Sequence, residues 1–417
     1  MPEEDFHLSD QMRFQAHEEA ASCRFINVQS RHSRKGGNDG RGLNRLHRVC
    51  LLADTTSPFK EAYMRIKTLR STALRFQVAA ILSLAFVFCV RAPAAPKGLD
   101  IYFIDVEGGA ATLVVTPQGE ALLIDSGWKR DDLRDAKRIH DTATRLAGLK
   151  KIDHHVTSHF HTDHFGSISQ LVGLIPVAKF YDHALMQESQ EYDKKLYPDY
   201  LKVSEGKRQV LKAGDTIPLK SGKIPLKVIC VVSDGRGVSA PVGVGAGINT
   251  FCNDAPMKPE DKSDNAKSIG LLVSYGDFEF LNLGDLTWNI EHQLVCPDNV
   301  LGKVDLYMAT HHGMNSSNNP VLVKAIQPTV SVMCNGARKA GSPESVALLK
   351  SLPSLKAAYQ LHRNVATSEA ENTDKALIAN WDENCQGQFI KASVAPNGKS
   401  YTVRIGEKGK SQQFQTE

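Results

Sequence analysis

The chain has 417 residues, 41% of them hydrophobic and 23% charged, which is enough apolar content for one large or two medium globular domains. Its formal net charge of +4 is local: residues 64 to 94 hold 5 basic and no acidic side chains, residues 1 to 63 hold 9 of each, and residues 95 to 417 hold 36 basic and 37 acidic. So balanced a body carries no electrostatic footprint for gripping long nucleic acid, a partner that the charge therefore does not indicate.

Residues 1 to 63 are polar and lack sustained periodicity, and they read as a disordered extension outside the functional protein, with Met64 as the expected start. Residues 64 to 94 then read as a secretory signal peptide. Arg65, Lys67, Arg70 and Arg75 precede an apolar run from Val78 to Val90, and Ala92-Pro93-Ala94 supplies a small-x-small cleavage site. The run is too short for a comfortable membrane span. Export to the periplasm or the medium is expected, with no stable span after cleavage; an uncleaved N-terminal anchor is the alternative. Of the cysteines, Cys230, Cys252, Cys296, Cys334 and Cys385 would reach that oxidising compartment. Two pairs could bridge, and none has zinc-finger spacing.

Residues 95 to 417 form the predicted domain. Strands at Leu99 to Val106, Ala111 to Thr116 and Ala121 to Ile124, joined by a Gly108-Gly109 turn and a Pro117-Gln118-Gly119 hairpin, predict an antiparallel opening. A helix follows over 131–147, then a buried strand Ile152 to Ser158, a helix Ser167 to Leu174 and a strand Val177 to Tyr181. Beyond it the pattern gives a polar helix near 187–204, strands near 208–219 and 224–232, and a mobile loop Gly235 to Gly247. Strands Ser268 to Tyr275 and Phe278 to Leu283 lead into alternation: helix Trp288 to Val295, strand Val304 to Thr310, helix Pro320 to Ile326, strand Thr329 to Cys334 and helix Pro343 to Leu352. A further strand ends at His362, and a hairpin turns at Pro396-Asn397-Gly398. Two halves that each open with strands and close in strand–helix alternation predict an α/β fold, two mixed sheets flanked by helices.

The chemistry sits at strand ends. Thr157-Ser158-His159-Phe160-His161-Thr162-Asp163-His164 packs three histidines and an aspartate into six positions, more than packing requires. His159 and His161 share one side because strand side chains alternate with period two, so both can hold one metal ion. Asp163 and His164 then turn toward a second ion. Imidazole with carboxylate is the donor set of zinc, and iron and manganese accept it as well. Asp285, ending the strand in Leu281-Asn282-Leu283-Gly284-Asp285, is the candidate bridging carboxylate; standing before Leu286-Thr287-Trp288 it could instead be a helix cap. In His311-His312-Gly313, His311 is favoured as a ligand and His312 as a group that meets substrate or donates a proton. His183, ending another strand, is a further candidate ligand. Asp125 would orient a ligand histidine, because a buried carboxylate needs a partner. Asp105 and Glu107 read as structural, as do Ser158 and Ser167. Arg338 and Lys339 suit an anionic substrate, and His362 ends a strand nearby.

These islands, in this order from about Leu99 to Ile405, resemble the metallo-β-lactamase superfamily. Within it, Asp105-Val106-Glu107-Gly108-Gly109-Ala110-Ala111, Leu122 to Gly127, Gly284-Asp285 and His311-His312-Gly313 are most similar to the hydrolase domain of the DNA-uptake protein ComEC. The resemblance implies an αββα sandwich with two divalent ions held by His159, His161, Asp163, His164, Asp285 and a histidine of the 311–312 pair. The chain departs at Ala110, where that domain usually has aspartate, and at Gly341-Ser342-Pro343, where it has Gly-His-Pro. It also implies hydrolysis by a water that two ions roughly 3.5–4 Å apart acidify, with Asp163 and His312 as the catalytic candidates. A phosphodiester, or another ester or amide, is the expected bond, in a small-molecule or anionic ester substrate; a β-lactam or lactone, or a non-catalytic metal-containing binding protein, are the alternatives.

Overall fold

The computed structural model describes residues 97–184 and 192–417, so the extension, the signal peptide and the start of the polar helix near 187 lie outside the described residues. The first strands are β1 (Asp100–Phe103), β2 (Thr112–Val115), β3 (Ala121–Ile124), β4 (Ile152–Val156), β5 (Val177–Asp182) and β6 (Arg208–Val210). Then come β7 (Leu226–Ser233), β8 (Arg236–Gly237), β9 (Gly247–Ile248), β10 (Gly270–Tyr275) and β11 (Phe278–Asn282). The last are β12 (Asp298–Asn299), β13 (Leu306–Met308), β14 (Val330–Met333), β15 (Ala357–His362), β16 (Ile378–Asn380), β17 (Ile390–Val394), β18 (Ser400–Ile405) and β19 (Gln412–Gln415).

One sheet has the order β19-β18-β17-β1-β2-β3-β4-β5-β6 and the other β16-β15-β14-β13-β11-β10-β7-β8. In each, an antiparallel group gives way to parallel strands: β3 pairs parallel with β4, β4 with β5, and β11 with β13, β13 with β14. Strand alternation produces the layers. Ile101, Phe103, Val114, Leu122 and Ile124 face the second sheet, where Val228, Cys230, Leu271, Val273 and Phe280 meet them. Their neighbours Tyr102, Leu113, Ala121 and Leu123 face outward onto Ala136, Ile139, Ile168, Leu171 and Tyr200 of the covering helices. Strands apolar on both faces must be covered on both, and the second sheet is covered likewise by Val321, Leu322, Ile326, Val346 and Leu349. The Phe103 and Phe280 rings meet edge to face across the sheets at 5.7 Å; burying such a side chain stabilises by roughly 1.5–3 kcal/mol.

The elements differ from the sequence reading in a few places. The strand expected over 208–219 is split: Arg208–Val210 pairs with β5, the chain turns at Lys212–Asp215, and Thr216 then bridges to Ile229 of β7. The glycine-rich loop contributes β8, paired with β7, and ends in β9, paired with β12. The polar helix is Tyr197–Ser204, started by Pro198 in its first turn. Among the described residues one cysteine pair bridges, Cys252–Cys296, with Cα atoms 5.7 Å apart. Cys230 and Cys334 are buried between the sheets, and Cys385 is also free. No helix among the described residues is long and apolar enough to cross a membrane.

Parallel strands in both sheets bring their carboxyl ends to one edge, the place where open α/β sheets bind ligands. Asp125 follows β3, His159 follows β4, Asp285 follows β11 and His311-His312 follows β13.

Candidate metal centre

Asp163, His164, Asp285 and His312 converge there with their ligand atoms all within 4.8 Å of one another, every one buried. The Asp285 Oδ2 atom is the hub. His164 Nε2 lies 3.1 Å from it, His311 Nε2 and His312 Nε2 3.4 Å each, and His159 Nε2 3.9 Å. On the other side, Asp163 Oδ2 is 3.2 Å from His312 Nε2 and 3.5 Å from His164 Nε2. The His159 ring packs against those of His164 and His161, with centroids at 4.1 and 4.6 Å.

Local backbone places these groups. The helix after β11 begins at Trp288 with Thr287 as its cap, so Asp285 is not the cap and its carboxylate is free to face the histidines. Gly284 has φ +56°, and a Cβ there would meet the Ser158 Cβ at 2.9 Å; only glycine takes this corner without strain. Gly109 is equally restricted, since an added Cβ would lie 2.4 Å from the Asp163 carbonyl oxygen. Asp125, His311 and His312 all adopt positive φ, at 60°, 55° and 54°. Non-glycine residues in that region cost of order 1–3 kcal/mol each and cluster at functional sites.

A second ring of contacts orients the imidazoles. The Asp125 carboxylate is fully buried and accepts from His164 Nδ1 (2.8 Å), Ser158 Oγ (2.7 Å) and Ser158 N (2.8 Å). Its bond leaves His164 Nε2 for the cluster. Ser158 Oγ also meets His159 Nδ1 at 3.1 Å, the His312 Nδ1 atom faces the Cys334 carbonyl at 3.1 Å, and Ser317 Oγ faces His311 Nδ1 at 3.2 Å. Glu291, fully buried, accepts from Asn318 N and Asn319 N, fixing the loop that carries Ser317.

Electrostatically the polypeptide alone is poised for cations. Burial works against ionising Asp163 and Asp285, yet the surrounding histidines, His164 foremost, hold both well below the usual carboxylate range. Burial likewise opposes charge on His164, and Asp285, Asp163 and Asp125 overcome it, raising its pKa well above the ordinary value. Burial and the neighbouring His164 push the His159 pKa well down, a direction that favours the neutral imidazole a metal ligand needs.

Residues 104–241 match the family model for the metallo-β-lactamase superfamily. The fold is a metallo-β-lactamase fold. Solved structures similar to the chain include a metallo-β-lactamase motif mutant from Cronobacter sakazakii, 14% identical, covering 50% of this chain and 75% of its own at TM-score 0.30. CmlA, a diiron β-hydroxylase from Streptomyces venezuelae, is 13% identical and covers 58% of this chain and 45% of its own at TM-score 0.34. MEM-A1, a subclass B3 metallo-β-lactamase from a soil metagenome library, is 14% identical and covers 64% and 77% at TM-score 0.30. No curated protein matches the sequence.

The residues of this metallo-β-lactamase fold suit divalent metal ions. His159 Nε2 and Asp285 Oδ1 are buried with no hydrogen-bond partner, and bare donors at a carboxylate–imidazole cluster are what a cation would satisfy. Of the residues singled out from the sequence, His159, Asp163, His164, Asp285, His311 and His312 come together, with His161 beside His159. His183 does not join them: its Nε2 faces Asp264 Oδ2 at 3.2 Å. Between the paired histidines, His312 rather than the favoured His311 reaches both carboxylates. Lys339 touches Asp163, whereas Arg338 points away to an exposed ion pair with Glu383. His362 Nε2 bonds Asp105 Oδ1 at 2.7 Å, and Arg138 pairs with the same carboxylate, so His362 groups with Asp105 and Cys385 rather than with the four converging residues. Asp264 was not legible in sequence. It accepts from Phe160 N at 2.7 Å, pinning the residue between His159 and His161, yet it comes from a loop 104 residues on with no motif around it. Ser158 does more than shape a turn, and the only signal for it was its place inside the histidine motif.

Proposed function

We propose that the protein is a metal-dependent hydrolase that cleaves an ester, a phosphodiester first, with two divalent ions. Zinc is the ion this donor set favours, with manganese and iron as alternatives. The observation that carries the reading is the convergence of Asp163, His164, Asp285 and His312 at one sheet edge. His159 and His161 would hold one ion, Asp163, His164 and His312 the other, and Asp285 would stand between them. Bound ions supply Lewis acidity and a water acidified to near neutral pH. The chain's own groups do the rest. Asp125 and Ser158 keep the ligand rings oriented, and His311, whose Nδ1 faces a Ser317 hydroxyl already donated to the Leu286 carbonyl, is left with a bare Nε2 that would accept a proton.

Export is part of this proposal, supported by the basic-then-apolar segment ending at Ala94 and by the Cys252–Cys296 pair, since disulfides persist in oxidising compartments. The near-neutral body favours a small ester over long nucleic acid. The test is turnover of a bis-aryl phosphodiester by the zinc- or manganese-loaded protein, beside a chromogenic cephalosporin. Phosphodiester turnover that Asp285→Asn abolishes is the expected result. Cleavage of the cephalosporin alone would replace the substrate class, and intact metal with no turnover of either would favour a non-catalytic role.

A further inference from the structure

Asn335 to Gly341 form a loop after β14 whose position is tightly held. Gly336 N donates to Lys339 O (3.0 Å), Val365 N to Ala337 O (2.9 Å), Asn364 Nδ2 to Ala340 O (3.0 Å), and Gly341 N to the carbonyl of His312 itself (3.1 Å). The loop is thus anchored to a metal-centre residue, and it brings two adjacent cations to different fates. Arg338 is 68% exposed and committed to Glu383. Lys339 turns inward: its stem lies against Gly108, its ammonium sits 4.7 Å from the centroid of the Trp128 ring, and it ends on the Asp163 carboxylate with about a third of the side chain still open to solvent.

That carboxylate has other claims on it, being 3.2 Å from His312 and 3.5 Å from His164. Once a divalent ion takes the charge of Asp163, the Lys339 ammonium is left beside cations with no anion of the protein to itself. Asp125, Asp163 and Asp285 do not match two divalent ions and an ammonium, so the loaded pocket holds an excess of positive charge. Such a pocket recruits an anion, and a lysine presents a point charge that accepts any anionic oxygen group.

We propose that Lys339 forms a subsite for an anionic oxygen group on the substrate, phosphoryl or carboxyl, placed beside the bond that is cleaved. This rests on the hydrolase reading above. It excludes neutral esters as the best substrates and leaves Arg338 without a part in recognition.

The test is binding of inorganic phosphate, and separately of succinate, to the metal-loaded protein by calorimetry, in wild type, Lys339→Met, Lys339→Arg and Arg338→Met, with metal content measured on each sample. Lys339→Met should weaken the preferred anion about 10- to 100-fold, the range of a lost hydrogen bond to a charged group. Lys339→Arg should restore most of it, and Arg338→Met should stay within about twofold of wild type. Tighter phosphate than succinate identifies a phosphoryl group, and the reverse a carboxyl. For turnover, the ratio of kcat/KM for methyl p-nitrophenyl phosphate to that for neutral p-nitrophenyl acetate should fall in Lys339→Met. Two bound ions with anion affinity equal in wild type and Lys339→Met would overturn the subsite while leaving the hydrolase reading intact. A wild-type protein that binds no metal would overturn both.

Discussion

Replacing Asp125 by asparagine should weaken one metal ion selectively. Asp125 has no solvent exposure, and its carboxylate accepts three bonds at 2.7 to 2.8 Å, from His164 Nδ1, Ser158 Oγ and Ser158 N. A carboxylate accepts on both oxygens, while an amide offers one acceptor and one donor. If the asparagine oxygen keeps Ser158 N, its amide group faces His164 Nδ1. The ring must then accept there and carry its proton on Nε2, the atom 3.1 Å from Asp285 that a metal needs unprotonated. Loss of such an orienting partner typically costs 10- to 100-fold in metal affinity, which is about 1.4 to 2.7 kcal/mol. His159 and His161 do not bond Asp125 directly, so the ion they hold should change much less. Competition against a chelator, read as two successive dissociation steps, measures both. The reasoning is refuted if both affinities match wild type, or if both collapse together with a large fall in Tm, which would make Asp125 a folding residue only.

Three further predictions follow from particular contacts. Gly109→Ala would drive a Cβ to within 2.4 Å of the Asp163 carbonyl, so Tm should fall by the equivalent of about 1–3 kcal/mol and metal affinity with it, measured by thermal melts with and without zinc. His183→Ala should lower stability yet keep the metal content of wild type by elemental analysis, because its Nε2 faces Asp264; loss of an ion would restore His183 as a ligand. Burial, aided by Asp305, pushes the Glu279 carboxyl up to about 7 from an ordinary 4.5, so the fold keeps its proton longer than the unfolded chain does. Stability held below about pH 4.5 is therefore lost as pH rises to about 7. Glu279→Gln retains an acceptor for Ser274, so it should match wild type near pH 4.5 and exceed it by up to about 3 kcal/mol above pH 7, in denaturant melts across that range.

Much of this molecule was legible because its strongest signals are local. The short apolar run Ala121 to Ile124 and the turn residues before it specify a buried strand, and they recover its observed bounds. The helix Pro320–Ile326 was equally plain, with Asn319 as its cap and proline in its first turn. The metal loop was visible for the same reason, four ligand-type side chains within six positions. What escaped was decided by tertiary contact. The strand expected over Val304 to Thr310 pairs only at Leu306–Met308, because the chain beyond it turns into the left-handed backbone of His311 and His312. Nothing in the sequence separates Arg338 from Lys339; Glu383, 45 residues away, takes one and leaves the other to the metal centre. His183 and His362 looked like site residues because each ends a strand at the correct edge. Their partners, Asp264 and Asp105, come from distant segments and commit them elsewhere.

The central claim is that these clustered side chains are a two-ion centre. Elemental analysis of the purified wild-type protein, after zinc or manganese loading and removal of loosely bound metal, tests it most directly, with Asp285→Asn analysed alongside. Two ions per chain in wild type, falling to one or fewer in the variant, is the predicted result. Fewer than one tightly bound ion in wild type would contradict the account.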